Sequence, residues 1–591
     1  MKQFFGAFFG SILGIVFATI IAVLLIIAAV KTSFSSNDSE QQEELAVVKD
    51  NSVLKLTVEG EILDREKENP FKDLGDLGPL LSTNGNGLNT LISKIRNAKT
   101  DEKIKGIFLF TKTIDAGFAA IQELRNALDD FKKSGKFIYS YSEFYGQKEY
   151  YLASVSTKIY LNPQGALEWK GLSMSLLFFK NAFDKLGVEV QVFRHGKFKS
   201  AVEPFLLDKM SASNRVQSET FLNSIWNSML VQISKDRKVS IDDLNKMANN
   251  LEIRFPEDAL GKLIDKISYE DEVLSEIKNK IGVKETEKIN LLEFEKYKSK
   301  STVELGSETK KIAVIYANGN ISGGQGGDDE IGSDGLCKTI KKARLDDKIK
   351  AIVLRVNSPG GSALASDVIW REVILAKKIK PVIVSMGNLA ASGGYYISCA
   401  ADYIFAQPNT ITGSIGVFGM IPNVKNALDQ KLGINIDTVN TNLHSDVGGI
   451  FRSVSASEYD YIQSGVEKVY DVFTMRVAEG RKMNQADVDS IGQGRVWSGS
   501  DALKIKLVDE LGGLNDAIAF AAKKAKVDLY SVIELPKQKG PFDALLSKES
   551  EIESKLVKNT LGLPYSFYKQ LKKTINMKGV QARLPFEMQI E

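Results

Sequence analysis

An α/β fold built as two tandem copies is predicted by three features: a long internal repeat, apolar runs alternating with amphipathic stretches, and length. The segment EKIKGIFLFT at 102–111 returns as DKIKAIVLRV at 347–356, an offset of 245 positions. The same offset aligns YYLASVSTKIYLNP at 150–163 with YYISCAADYIFAQP at 395–408. Upstream, VLKLTVEGEI ending at Ile62 matches IAVIYANGNI ending at Ile321 at an offset of 259, so one loop differs by 14 residues. Repeats this long mean two similar domains; solenoid periods are far shorter. At 591 residues the chain is too long for one core and suits two domains.

The first element is an uncharged stretch of 27 residues at 4–30. As a helix it would be about 40 Å long, enough to cross an apolar bilayer core of about 30 Å. A cleaved signal peptide would carry an apolar core of about 7–15 residues and a small-residue cleavage site. Val30-Lys31-Thr32 offers no clean site, so a retained anchor over 1–31 is expected. Lys2 on the short side, against Asp38, Glu40, Glu43 and Glu44 beyond, favours N-inside, with the body outside the cytoplasmic membrane. A polar tether follows over 32–50.

The first domain is expected over 51–283, a Lys/Glu-rich connector over 284–310, and the second domain over 311–537. In the second, strands are read at 312–317 (IAVIYA), 351–356 (AIVLRV), 381–386 (PVIVSM) and 403–407 (YIFAQ). Helices are read around 335–343 and 365–376 and after Ser392. Continuous Val/Ile runs are strands buried on both faces, and their alternation with helices indicates parallel crossover units. After 537 the pattern fades into a tail, 538–591, for which the sequence indicates no role.

Composition excludes several classes. With 77 basic and 74 acidic side chains the net charge is +3, which leaves no electrostatic footprint for nucleic acid. Two histidines and two cysteines without a CxxC give no structural zinc pattern. An oxidising compartment would permit a disulfide, but Cys399 lies in an apolar stretch that suits a buried free thiol.

The copies differ where chemistry is expected. Asn357-Ser358-Pro359-Gly360-Gly361-Ser362 follows a strand and precedes a helix, so its glycines can leave backbone N–H groups facing a developing oxyanion. The first copy has Asp115-Ala116 in the glycine positions. After the next strand, Ser392 stands in Ala391-Ser392-Gly393-Gly394, a turn that would expose its hydroxyl and let its own amide help hold the oxyanion. The first copy has Gln147-Lys148 there. A serine needs a base. His195 and His444 are the histidines on offer; a lysine amine is the alternative, provided burial lowers its pKa of about 10.4 by several units. Lys199, followed by Ser200-Ala201-Val202, aligns with His444 in the second copy; Lys197 is its near rival. Serine thus survives in one half and lysine in the other.

NSPGG, AASGGYYISCAADYIFA, TGSIGVFG (412–419) and FKSAVEPF (198–205) together resemble the signal peptide peptidase A family, in its long membrane-anchored form with two fused homologous domains. The resemblance covers the anchor and both repeats. It implies ClpP/crotonase-like domains of repeated β-β-α units, preceded by one N-terminal transmembrane helix. It also implies a Ser392 nucleophile, a Lys199 general base and acid, and Ser414 orienting Lys199. The oxyanion hole would be Gly360 or Gly361 with the Ser392 amide. Further implied are a membrane-bound homotetramer on the periplasmic side of a bacterial inner membrane, cleaved signal peptides as substrates, and no metal or other cofactor. Two rival readings are a crotonase-like acyl-CoA enzyme, using Gly360 and Gly361 at an enolate, and a non-catalytic membrane scaffold.

Overall fold

The computed structural model describes residues 48–66, 86–297, 310–327, 329–537 and 579–584. The expected anchor at 4–30 lies outside them, and among the described residues no helix is long and apolar enough to cross a membrane.

Each repeat forms a largely parallel sheet. The first runs in the order Asn86–Gly87, Ser52–Leu63, Ile104–Asp115, Phe137–Tyr145, Lys158–Leu167, Lys266–Ile267, with Leu291–Glu293 also on Ser52–Leu63. The second runs Val496–Ser498, Ile411–Gly413, Val382–Ala391, Ile349–Ser358, Lys311–Asn318, Ser531–Leu535. The strands that carry the repeat, such as Ile349–Ser358, are buried along almost their whole length. That is why they read as unbroken Val/Ile runs. The strand expected over 381–386 runs on to Ala391, because it pairs first with Tyr403–Ala406 and then with Ile411–Gly413. That extension carries the backbone up to Ser392. The repeat also holds in the helices: Ala212–Arg237 and Ala456–Arg481 are 26 residues each, and each starts at a serine whose hydroxyl caps the third amide of the helix.

A third, smaller sheet belongs to both copies. Its order is Gly326–Gly327, Glu330–Gly332, Asn320–Ser322, Gly360–Ser362, Gln581–Arg583, Val417–Asn423, Glu189–His195. Strand Glu189–His195 of the first repeat pairs antiparallel with Val417–Asn423 of the second, from His195 opposite Val417 to Asn423 opposite Glu189. Gln581–Arg583 comes from the tail, for which the sequence indicated no role; it is an inner strand here.

Buried polar groups fix the copies against each other. Arg355, 1% exposed, donates to Asp64 from Nε at 2.9 Å and from Nη2 at 2.7 Å, and to Glu123 at 2.9 Å. Both carboxylates belong to the first repeat. Asp64 also accepts from Asn357 Nδ2 at 2.8 Å, and Asn357 Oδ1 accepts from the Leu389 amide at 3.1 Å, so the cluster reaches the turns carrying Gly360 and Ser392. Asn388 Oδ1 in turn accepts from the Ala120 amide at the start of helix Phe118–Lys132. Replacing Arg355 strands two buried carboxylates. Arg355→Ala should therefore cost about 3–5 kcal/mol in denaturant unfolding, whereas Lys350→Ala, on the same strand but only half-buried and outside the cluster, should stay within about 0.5 kcal/mol.

Candidate active site

Ser392 sits between strand Val382–Ala391 and helix Gly393–Ser398 with φ +55° and ψ −113°. A non-glycine residue there carries strain of order 1–3 kcal/mol, the backbone signature of a nucleophile turn. The turn is held by the Ser392 amide, which donates to Gly413 O at 2.8 Å. This corrects one expectation: the Ser392 N–H is committed to Gly413 and does not face the cleft. Similarly, the Gly360 amide donates to Ser358 Oγ at 3.1 Å. The next amide along each turn, of Gly393 and of Gly361, is not tied up within its own turn, and Gly361 pairs with Ala582 of the strand Gln581–Arg583. Gly360 takes φ +93°, and a β-carbon there would stand 2.6 Å from Gly393 N, so this close approach of the two turns needs glycine.

Lys199 reaches this turn from the other repeat. The ladder between Glu189–His195 and Val417–Asn423 delivers the chain, and loop 492–495 of the second repeat clamps it. Phe198 N–H donates to Gln493 O at 2.9 Å, Gly494 N–H to Ile415 O at 2.6 Å, and Ser414 N–H to Arg495 O at 2.7 Å. Gln217 Nε2 donates to Ser200 Oγ at 2.8 Å and to Phe198 O at 3.1 Å. Gly494 has φ +78°, and a β-carbon on it would lie 2.6 Å from Lys199 Cβ.

The Lys199 amine is fully buried. Its Nζ stands 2.9 Å from Ser392 Oγ, 3.1 Å from Ser414 Oγ and 3.3 Å from Ser414 O. Burial alone holds its pKa well below the ordinary lysine value. A neutral amine has two N–H groups and one lone pair. With Ser414 taking both N–H groups, the lone pair is left for the Ser392 hydroxyl proton. Such an arrangement can move a proton between oxygen and nitrogen without any other side chain.

The rival bases lie elsewhere. Lys197 is exposed, with its ammonium 5.2 Å from the centre of the Phe198 ring. His195 pairs with Glu467 and stacks on Tyr470 at 3.7 Å. His444 Nδ1 lies 2.9 Å from Glu458, which Arg452 also engages. The corresponding turn of the first repeat is closed by Gln147, which accepts from Gly171 N–H at 2.8 Å and donates to Gly171 O at 2.8 Å. Cys399 and Cys337 are free thiols; Cys399 is buried, which pushes its pKa up to about 12. Among the described residues no group of three or more His, Cys, Asp or Glu is placed to hold a metal ion.

The family model of peptidase family S49 matches residues 130–284 and 374–528, once in each repeat. The chain belongs to this family and is a serine peptidase. It is 38% identical to Protease 4 of Salmonella typhi, covering 80% of this chain and 78% of that one. To Protease 4 of Haemophilus influenzae it is 37% identical, over 72% and 71%. To the chloroplastic serine protease SPPA of Arabidopsis thaliana it is 32% identical, over 91% and 78%. Among solved structures, a ClpP1 variant from Listeria monocytogenes aligns over 35% of this chain and 94% of its own, at 16% identity and a TM-score of 0.24.

The Gly494 contact makes a remote, non-reacting residue decisive. Gly494→Ala should force the Lys199 backbone aside and lower kcat by about 10²-fold, as a shift of about 1 Å at a reacting group does. Peptidase kinetics check this, with thermal unfolding confirming that the variant still folds.

Proposed function

We propose that this S49 peptidase is a membrane-anchored endopeptidase that uses a Ser392–Lys199 dyad to degrade signal peptides already released from preproteins. The observation that carries the dyad is the 2.9 Å approach of Lys199 Nζ to Ser392 Oγ, with the amine fully buried. Lys199 takes the hydroxyl proton, and Ser392 attacks the peptide carbonyl. The oxyanion forms against the Gly361 and Gly393 amides. Lys199 then protonates the leaving amine, and water activated by the same lysine releases the acyl group. Ser414 is a positioning residue that keeps the lone pair aimed at Oγ. The uncharged stretch 4–30 and the family resemblance support the anchor, the extracytoplasmic location at a bacterial inner membrane, the homotetramer and the signal-peptide substrates. They also support ClpP/crotonase-like repeats divided near 51–283 and 311–537.

Ser392→Ala and Lys199→Ala should each lower kcat by about 10⁴-fold or more, while Lys197→Ala leaves it near wild type; peptide hydrolysis by detergent-solubilised protein decides. A loss with Lys197→Ala and none with Lys199→Ala would overturn the assignment.

Burial of Lys199 also predicts a pH dependence of stability. Its folded pKa lies below the unfolded one, near 10.4, so between the two the unfolded chain binds more protons and stability rises with pH. Lys199→Met removes this linkage. The variant should melt above the wild type at neutral pH, and the gap should narrow as pH rises towards about 10. A gap independent of pH would mean the buried amine is charged.

A further inference from the structure

The two 26-residue helices that mark the repeats, Ala212–Arg237 and Ala456–Arg481, begin 244 positions apart. At that offset Trp226 of the first corresponds to Tyr470 of the second, and Asn245 corresponds to Asp489 on the helix that follows. Both pairs are bonded. Trp226 Nε1 donates to Asn245 Oδ1 at 2.9 Å, and the Tyr470 hydroxyl donates to Asp489 Oδ1 at 2.5 Å. Joining the two helices therefore needs only a donor, and an indole N–H supplies it. A phenol can also accept, which an indole cannot. Tyr470 uses that capacity: its oxygen accepts from the Gln493 N–H at 3.2 Å.

Gln493 belongs to the loop that clamps the lysine segment. It takes φ +54°, a left-handed conformation unfavourable for a residue with a β-carbon. Its N–H is held by Tyr470, its carbonyl accepts from Phe198 N–H at 2.9 Å, and its side-chain amide donates to Asp489 Oδ1 at 2.5 Å. Phe198 immediately precedes Lys199, and Gly494, next to Gln493, packs against Lys199. The Tyr470 ring is buried, and His195, the last residue of the strand that delivers the lysine, stacks on it at 3.7 Å. Its titratable neighbours are His195, with Glu467, and Asp489.

We propose that Tyr470 is a positioning residue for the reaction: its hydroxyl, anchored on Asp489, holds Gln493 in the left-handed conformation and so fixes where the Lys199 amine stands against Ser392 Oγ. The inference rests on the dyad reading above and adds a residue that touches neither substrate nor the reacting atoms.

Tyr470→Phe keeps the ring and the His195 stack and removes only the oxygen. In the detergent-solubilised full chain, kcat should fall about tenfold with KM nearly unchanged, short of the loss of about 10²-fold for a displacement of about 1 Å. A looser fit admits water to the amine and raises its pKa. The acid limb of kcat/KM, which reads the free enzyme's base, should therefore move to higher pH. Asp489→Ala should give the same changes in weaker form. Asp489→Asn, which keeps an acceptor for the hydroxyl, should recover most of what Asp489→Ala loses. Tyr403→Phe, which removes a phenol bonded to Glu510 at 3.0 Å, should move neither kcat nor the limb. A folded Tyr470→Phe with wild-type kcat would overturn the proposal. So would a loss that matches the unfolded fraction in thermal unfolding while the limb stays in place. Should Tyr470→Phe fail to fold, Asp489→Ala decides by the same readings. Lys199→Ala is run alongside: activity there would sink the dyad, whereas an inactive Lys199→Ala beside an unchanged Tyr470→Phe sinks only the role of Tyr470.

Discussion

The structure depends on keeping one lysine amine dry. An ammonium taken out of water without a carboxylate partner is strongly disfavoured, and the group yields by losing its proton. Lys199 meets that condition: burial is the sole cause of its depressed pKa, and its neighbours are hydroxyl and carbonyl oxygens. The amine is thereby pushed towards its neutral form with no help from a histidine. The same condition makes it demanding. A gap wide enough to admit water would raise the pKa and restore the charge, so the loops around it must fit closely at backbone level.

That fit explains the duplicated architecture. One repeat alone has either the serine turn or the lysine segment, and the two meet because Glu189–His195 leaves its own repeat to pair with Val417–Asn423. Paired strands fix position to a fraction of a residue, since a slip of one would turn every side chain to the other face. Four residues beyond His195, Lys199 arrives with its direction already set. The buried Arg355 cluster works from the opposite side, joining Asp64 and Glu123 of the first repeat to the strand that leads into Gly360. A buried ion pair is a weak source of net stability but a strong penalty on misalignment. Here its value is register between the copies.

Much of this was legible in the sequence because the copies can be compared. Their shared apolar runs mark the strands, and the places where they differ mark Ser392 and Lys199. Choosing Lys199 over Lys197 needed the alignment with His444, and the structure places the first inside and the second outside. Which amides face the cleft was not legible. The choice between Ser392 and Gly393, or Gly360 and Gly361, is set by backbone direction at φ +55° and +93°, and residue names do not encode that. The tail strand was hidden for another reason. Gln-Ala-Arg has neither apolar alternation nor length, and such a segment becomes a strand only because two existing strands stand ready on either side.

The two illegible features have one cause. Around Ser392 many of the polar partners are main-chain groups, the carbonyls of Gly413, Gly416 and Ser414. A wall of backbone recognises backbone, so any extended segment of suitable bulk can add itself as a strand, whatever its sequence. What remains to discriminate among segments is the space over Gly360, where a close approach of two turns leaves room for little beyond a carbonyl oxygen. Tolerance along the strand and strictness at one point are thus consequences of the same close packing that holds the lysine dry.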